Sequence, residues 1–234
     1  MPPSHAVDIA PTRHSLLMRG ARLGLPIFLV YMPVGMAFGL AATAAGFTFA
    51  QATACSALAL AGAGQFIGVA ALAGSGNLAA ALIATGVVNL RYLLFSATLA
   101  PHLKGVPRWQ QLLLAHTLTD ETFAVNIADA RVGRADRFSM TGVGLISWFG
   151  WTLGTAIGAA AGSAIGDPSK WGVDFAMPAM FIALLVGQIT RRREFVAGAL
   201  AAVLALVLSA WLPGQWPVVA GAIAAATVMT VTPR

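Results

Sequence analysis

The sequence predicts an all-α, polytopic helical membrane protein of about seven to eight spans, each needing about 20 apolar residues. Three observations carry that reading. Apolar residues make up 58% of the 234 positions and charged residues only 9%, where a soluble domain carries about 25% charge. Mean hydropathy is +0.80. The arginines fall between long apolar runs, where positive charge flanks membrane helices. A chain of this size cannot hide so much apolar surface in one water-facing core. The same composition excludes disorder, and the single Cys55 excludes a disulfide scaffold.

Residues 1–22 read as a cytoplasmic N-terminal tail with no cleavable signal, and 23–231 as a single transmembrane domain. The spans expected are 23–45, 51–73, 78–100, 109–129, 139–163, 175–190, 195–212 and 215–231. With eight spans and the N-terminus inside, ten Arg lie on the cytoplasmic side. Lys104, Arg108 and Lys170 lie outside, and Arg91 stays within a span. This bias orients the chain in the cell inner membrane. Seven spans, with one segment re-entrant, would put the C-terminus outside. The net charge of +6 is accounted for by this pattern. No basic stripe with interleaved aromatics exists, so nucleic acid is not a partner.

Two features break the apolar pattern. The first is charge inside spans. Arg91 lies mid-way along the third run, and Asp120 and Glu121 lie mid-way along the fourth. A charge at mid-membrane costs at least about 2.5–3.5 kcal/mol on insertion scales, which makes such residues functional by default. At about 100° per residue, Thr85, Asn89, Tyr92 and Ser96 share a face of the third span, and His116, Thr119 and Asp120 a face of the fourth. Glu121 then points about 100° from Asp120, so the two carboxylates should have different neighbours. One is expected to neutralise Arg91, and the other to meet water, substrate or partner. His116 one turn from Asp120 would suit a proton relay.

The second feature is backbone breakers. The first span holds Pro26, Pro33, Gly35 and Gly39; the second holds AGAGQF at 61–66, with Gly62 and Gly64 ahead of Gln65; the sixth holds Met177-Pro178 and Gly187-Gln188. Discontinuous helices at mid-membrane are how many transporters present backbone dipoles to substrates. Gly35-xxx-Gly39 alone reads better as a close helix contact. Buried Asn, Thr and Ser can equally be interhelical glue. A shift of 123 residues aligns Gly35, Gly39, Gly64 and Gln65 with Gly158, Gly162, Gly187 and Gln188, which suggests an internal repeat.

Some chemistry is missing. There is no H-E-x-x-H, no cysteine pair for zinc and no Walker A loop. No metal or other cofactor is expected, and energy would come from a gradient. The candidate substrate or coupling residues are Arg91, Asp120, Glu121, Asn89, Gln65, Gly62, Gly64 and His116.

The segments VVNLRYLLFSATLAPHL (87–103) and TDETFAVN (119–126), with P-x-G-x-x-F-G at 33–39 and AGAGQF, resemble the AzlC family. The resemblance runs from about residue 20 to the end and is strongest over 23–126. The family commonly carries His where this chain has Tyr92. The resemblance implies the large subunit of a branched-chain amino acid exporter. It implies work with a small AzlD-type membrane subunit, and drive from the proton-motive force. Two other readings are weighed against it: an assembly or scaffold subunit without a pathway, and an intramembrane lipid-modifying enzyme using His116 and Asp120.

Overall fold

A computed structural model describes residues 12–73, 78–165, 189, 192–212 and 216–231. The described secondary structure is helical. Among the described residues three helices are long and apolar enough to cross a membrane: Arg13–Ala44, Ala81–Leu103 and Arg137–Gly162. The sixth expected span falls almost wholly outside the described residues, with Lys170, Met177, Pro178, Gly187 and Gln188.

Helix α1 (Arg13–Ala44) starts ten residues before the span drawn from hydropathy. Thr12 caps it, its side chain accepting from the Ser15 amide at 3.2 Å. The sequence argued for an interruption at Pro26 or Pro33, but α1 runs through both. An interior proline costs about 3 kcal/mol in an isolated helix. Here the cost is offset by packing against α8 (Arg137–Ile165) along nearly the whole of α1.

That contact is made backbone to backbone. Gly20 faces Ser139, Gly24 faces Val143, Gly35 faces Trp151 and Thr155, and Gly39 faces Thr155 and Ala159. In return Gly154 and Gly158 face the carbonyls of Met32 and Met36. A Cβ at Gly39 would strike the Thr155 carbonyl oxygen. Small residues permit this approach where lipid offers no hydrophobic drive between helices. The contacts climb both helices together, so α1 and α8 run parallel. One crossing between them, Ala81–Leu103, produces that relation. α1 and α8 are also the helices superposed by the 123-residue shift.

The segment after α1, expected to cross at 51–73, turns back instead: α2 (Phe49–Leu58) brings Ser56 to Thr155, and α3 (Ala63–Ala73) returns, so that Phe66 packs on Phe38 and Leu72 comes back beside Ala45, Gly46 and Gln51. The crossing is made by α4 (Leu78–Asn89) and α5 (Arg91–Leu99), joined at Leu90 with helical dihedrals and continued by a 3₁₀ turn at Ala100–Leu103. The segment expected to cross at 109–129 also turns back: α6 (Arg108–His116) starts at the end where Gln110 meets Arg137 and Thr141, and α7 (Asp120–Arg131) returns there to put Asp129 on Arg19. This second break was not anticipated by the 109–129 span. α9 (Arg192–Leu208) and α10 (Trp216–Val231) pack on each other, with Gly221 against Ala201 and Ala205.

At one end, the start of α1, the end of α7 and the start of α8 converge. Arg19 grips Asp129 through both terminal nitrogens at 2.5 and 2.7 Å and reaches the Ser139 hydroxyl at 3.0 Å. Arg13 and Arg137 both lie over the Phe138 ring. Arg13, Arg19 and Arg137, counted on one side of the membrane, therefore stand at one end of the bundle, and Arg108, expected on the other side, opens α6 at the same end, where Gln110 donates to the Arg137 carbonyl.

Candidate functional site

Both re-entrant pairs turn at the same chamber. The first break leaves 59–62 outside the helices, and Gly62 adopts φ +45°. Only glycine enters that left-handed region freely. The second break leaves Thr117–Thr119 outside. Thr119 then restarts the helix: its side chain accepts from the Thr122 amide, and the Thr122 hydroxyl accepts from the Thr119 amide at 2.8 Å. Asp120 and Glu121 thus occupy the first turn of α7, where the helix dipole favours negative charge.

The two breaks are tied to each other. The Ala57 carbonyl at the end of α2 accepts from Trp148 Nε1 at 2.9 Å and lies 3.0 Å from His116 Nε2. These contacts satisfy a carbonyl that has no helical partner. Behind the first break stands a buried polar chain. Gln65 Nε2 donates to Ser56 Oγ at 3.0 Å, Ser56 meets Thr155 at 2.8 Å, and Thr155 donates to the Trp151 carbonyl.

The chamber is about 450 Å³, within the range of about 300–1,000 Å³ that ligand pockets occupy. One wall is aliphatic, from Ile27, Val30, Val34, Leu60 and Ala63, with Trp151 beside it. The other wall is polar and charged: Tyr31, Arg91, Tyr92, Thr119, Asp120 and Glu121. Tyr31 sits near the middle of α1, about 27 Å from its start and 20 Å from its end at about 1.5 Å per residue. The chamber therefore lies at mid-depth along the α1–α8 pair.

Arg91 Nη1 donates to Asp120 Oδ2 in an ion pair between α5 and α7. Stacking of Phe95 on Phe123, with centroids 4.3 Å apart, holds α5 against α7 one turn away. The Arg91 guanidinium also lies over the Tyr92 ring, 5.2 Å from its centroid. Glu121 has a different neighbour: the Tyr31 hydroxyl donates to its Oε2 at 2.5 Å and lies 2.8 Å from Thr119 Oγ1. Tyr31 in turn packs edge-on against Trp151, with centroids 5.5 Å apart.

The chamber gathers four of the eight sequence-derived candidates: Gly62, Arg91, Asp120 and Glu121. The other four stand elsewhere. Gly64 lets α3 close on α4, where a Cβ would come within 2.9 Å of the Thr85 methyl and 3.6 Å of Asn89 Nδ2. Asn89 packs at that contact, and Gln65 belongs to the polar chain behind the break. His116 does not share a face with Asp120. The helix ends between them, so the 100° rule does not carry across, and the imidazole turns to Ala57 instead. The proposed His116–Asp120 relay is corrected on that ground.

Tyr31 and Trp151 are the residues that sequence reasoning missed. A usable signal existed for the first. The sequence holds only two tyrosines, and both line the chamber.

A family described as AzlC protein matches residues 26–165, which contain every lining residue of the chamber. The inner membrane protein YgaZ of Escherichia coli is 34% identical over 199 residues, covering 80% of each chain. An uncharacterized membrane protein of Archaeoglobus fulgidus is 33% identical over 192 residues, covering 80% of this chain and 83% of its own. The branched-chain amino acid transport protein AzlC of Bacillus subtilis is 28% identical over 171 residues, covering 73% of this chain and 66% of its own. No solved structure matches this chain. With mid-depth charge, re-entrant helix pairs and these relatives together, the chain belongs to the AzlC family of membrane proteins and has a role in membrane transport.

Proposed function

We propose that this protein is the large subunit of a secondary exporter that moves branched-chain and other aliphatic amino acids out of the cytoplasm, driven by the proton gradient. The observation that carries the reading is the pairing of a guanidinium and two carboxylates with an aliphatic wall in one mid-depth chamber. A zwitterionic amino acid needs those three things: a cation for its carboxylate, an anion for its ammonium and an apolar cleft for its side chain. Asp120 engages only Nη1 of Arg91, and a guanidinium carries five N–H donors. Arg91 can therefore take a substrate carboxylate while keeping its internal partner. The start of α3 at Ala63, beside Gly62, adds a positive dipole end to the chamber. The aliphatic wall receives the side chain.

The Bacillus subtilis relative bears branched-chain amino acid transport in its name, and the family resemblance adds a small AzlD-type membrane subunit as partner. The gathering of arginines at one end of α1, α7 and α8 supports a cytoplasmic N-terminus in the inner membrane. The test is efflux of labelled valine, leucine and isoleucine from vesicles holding the full chain, with and without the small subunit, and with and without a pH gradient. Gradient-dependent efflux is expected. Equal efflux from empty vesicles would remove the reading.

A further inference from the structure

The two chamber carboxylates are in different chemical situations. Arg91, Asp120 and Glu121 give the lining one formal positive and two negative charges. Asp120 is held by Arg91. Among the described residues no Lys, Arg or His lies within ion-pair distance of Glu121; its bond is to a neutral phenol. The groups gathered around Glu121 are Tyr31 from α1, Arg91 and Tyr92 from α5, and Asp120 from its own helix. α8 contributes Trp151, which cannot titrate. The chamber is thus one cation short of neutrality, and the shortfall falls on Glu121. Its bond to Tyr31 uses Oε2, and an ionised carboxylate offers about four lone-pair sites.

We propose that Glu121 is the exchange anion of the chamber: it takes one cation at a time, either an organic ammonium or a proton, while Asp120 stays with Arg91 as a fixed counter-charge. The inference rests on the reading above and assigns it a coupling residue. Mutual exclusion at one carboxylate links the two cations reciprocally. An acidic outside favours the proton and release of the ammonium; a less acidic inside favours the reverse. That ordering gives export. Tyr31 is a positioning residue. It stands on the glycine-locked α1–α8 pair and holds Glu121, through Thr119 as well, at the break before α7.

The test uses the full chain in lipid nanodiscs, with isoamylamine and L-leucine as probes. Isoamylamine is an aliphatic ammonium with no carboxylate, so it addresses Glu121 without needing Arg91. Wild type should bind it more weakly as the medium goes from neutral to acid. Glu121→Gln should bind at least about tenfold more weakly at neutral pH and lose the acid sensitivity. Glu121→Asp should retain the sensitivity, which shows that the chamber still folds. Tyr31→Phe should weaken binding by a few fold and keep the sensitivity. Absence of isoamylamine binding to wild type, or unchanged acid sensitivity in Glu121→Gln, overturns the proposal. Leucine that binds with acid sensitivity independent of Glu121 also overturns it and leaves the exporter reading standing. Leucine that fails to bind while isoamylamine still competes with protons at Glu121 removes the exporter reading and leaves the exchange anion.

Discussion

Arg91 and Asp120 stand at the starts of two different helices, 29 positions apart, and meet as an ion pair in the wall of the chamber. Each is partly accessible, at 31% and 22% of the side chain. The pair is therefore a partly accessible edge of the site and its main positive anchor.

Removing one partner should cost more than removing both. Asp120→Asn leaves a guanidinium facing apolar side chains, and deleting one partner of a fully buried pair costs about 3–5 kcal/mol. Partial exposure reduces that here, to about 1–2 kcal/mol. Arg91→Gln with Asp120→Asn should recover most of the thermal stability in detergent and none of the efflux. A double variant as unstable as the sum of the single variants would show that the pair does not couple.

His116→Ala should leave amino-acid efflux and its pH dependence unchanged. The Ala57 carbonyl keeps Trp148 as a donor. Loss of pH coupling in this variant would restore a relay role that the break between α6 and α7 argues against.

Gly39→Leu should sharply lower the yield of monodisperse protein, because its side chain has only the Thr155 and Ala159 backbone to enter. Gly68→Ala is the control. Gly68 is helical and a Cβ there meets nothing within 4 Å, so stability should hold or rise by up to about 1 kcal/mol. Size-exclusion profiles and thermal unfolding read both.

Gly62→Ala separates conformation from crowding. A Cβ there also meets nothing within 4 Å, but the backbone is left-handed. A non-glycine residue in that region costs about 1 kcal/mol or more. Reduced efflux from normally inserted protein is expected. Efflux at the wild-type rate would show that the left-handed turn at the α2–α3 break is dispensable.

Thr119→Ala removes the cap of α7 and one of the two groups on the Tyr31 hydroxyl. A lost cap costs about 1 kcal/mol. Thr119→Ser should restore both stability and efflux, since the hydroxyl is what the amide and the phenol use.

Hydropathy alone determined that this chain lives in a bilayer, because no fold of this size can bury so many apolar residues away from water. Charge at mid-span likewise singled out Arg91, Asp120 and Glu121, since lipid makes any such residue costly. The glycines before Gln65 marked the first break correctly, because a left-handed turn leaves a signature in residue type. The second break left a fainter one, a Thr119 cap followed by acids in the first turn, which is the pattern of a helix start. Thr117, Leu118 and Thr119 are acceptable in a helix, and what stops it there is the cap and the docking of His116 on Ala57. That one interruption undid the helical-face argument for His116. It also placed both acids on a helix start. Which carboxylate meets Arg91 and which meets Tyr31 was decided by how α1, α5 and α7 pack. A sequence fixes the spacing along one helix; only the packing of several helices fixes who faces whom.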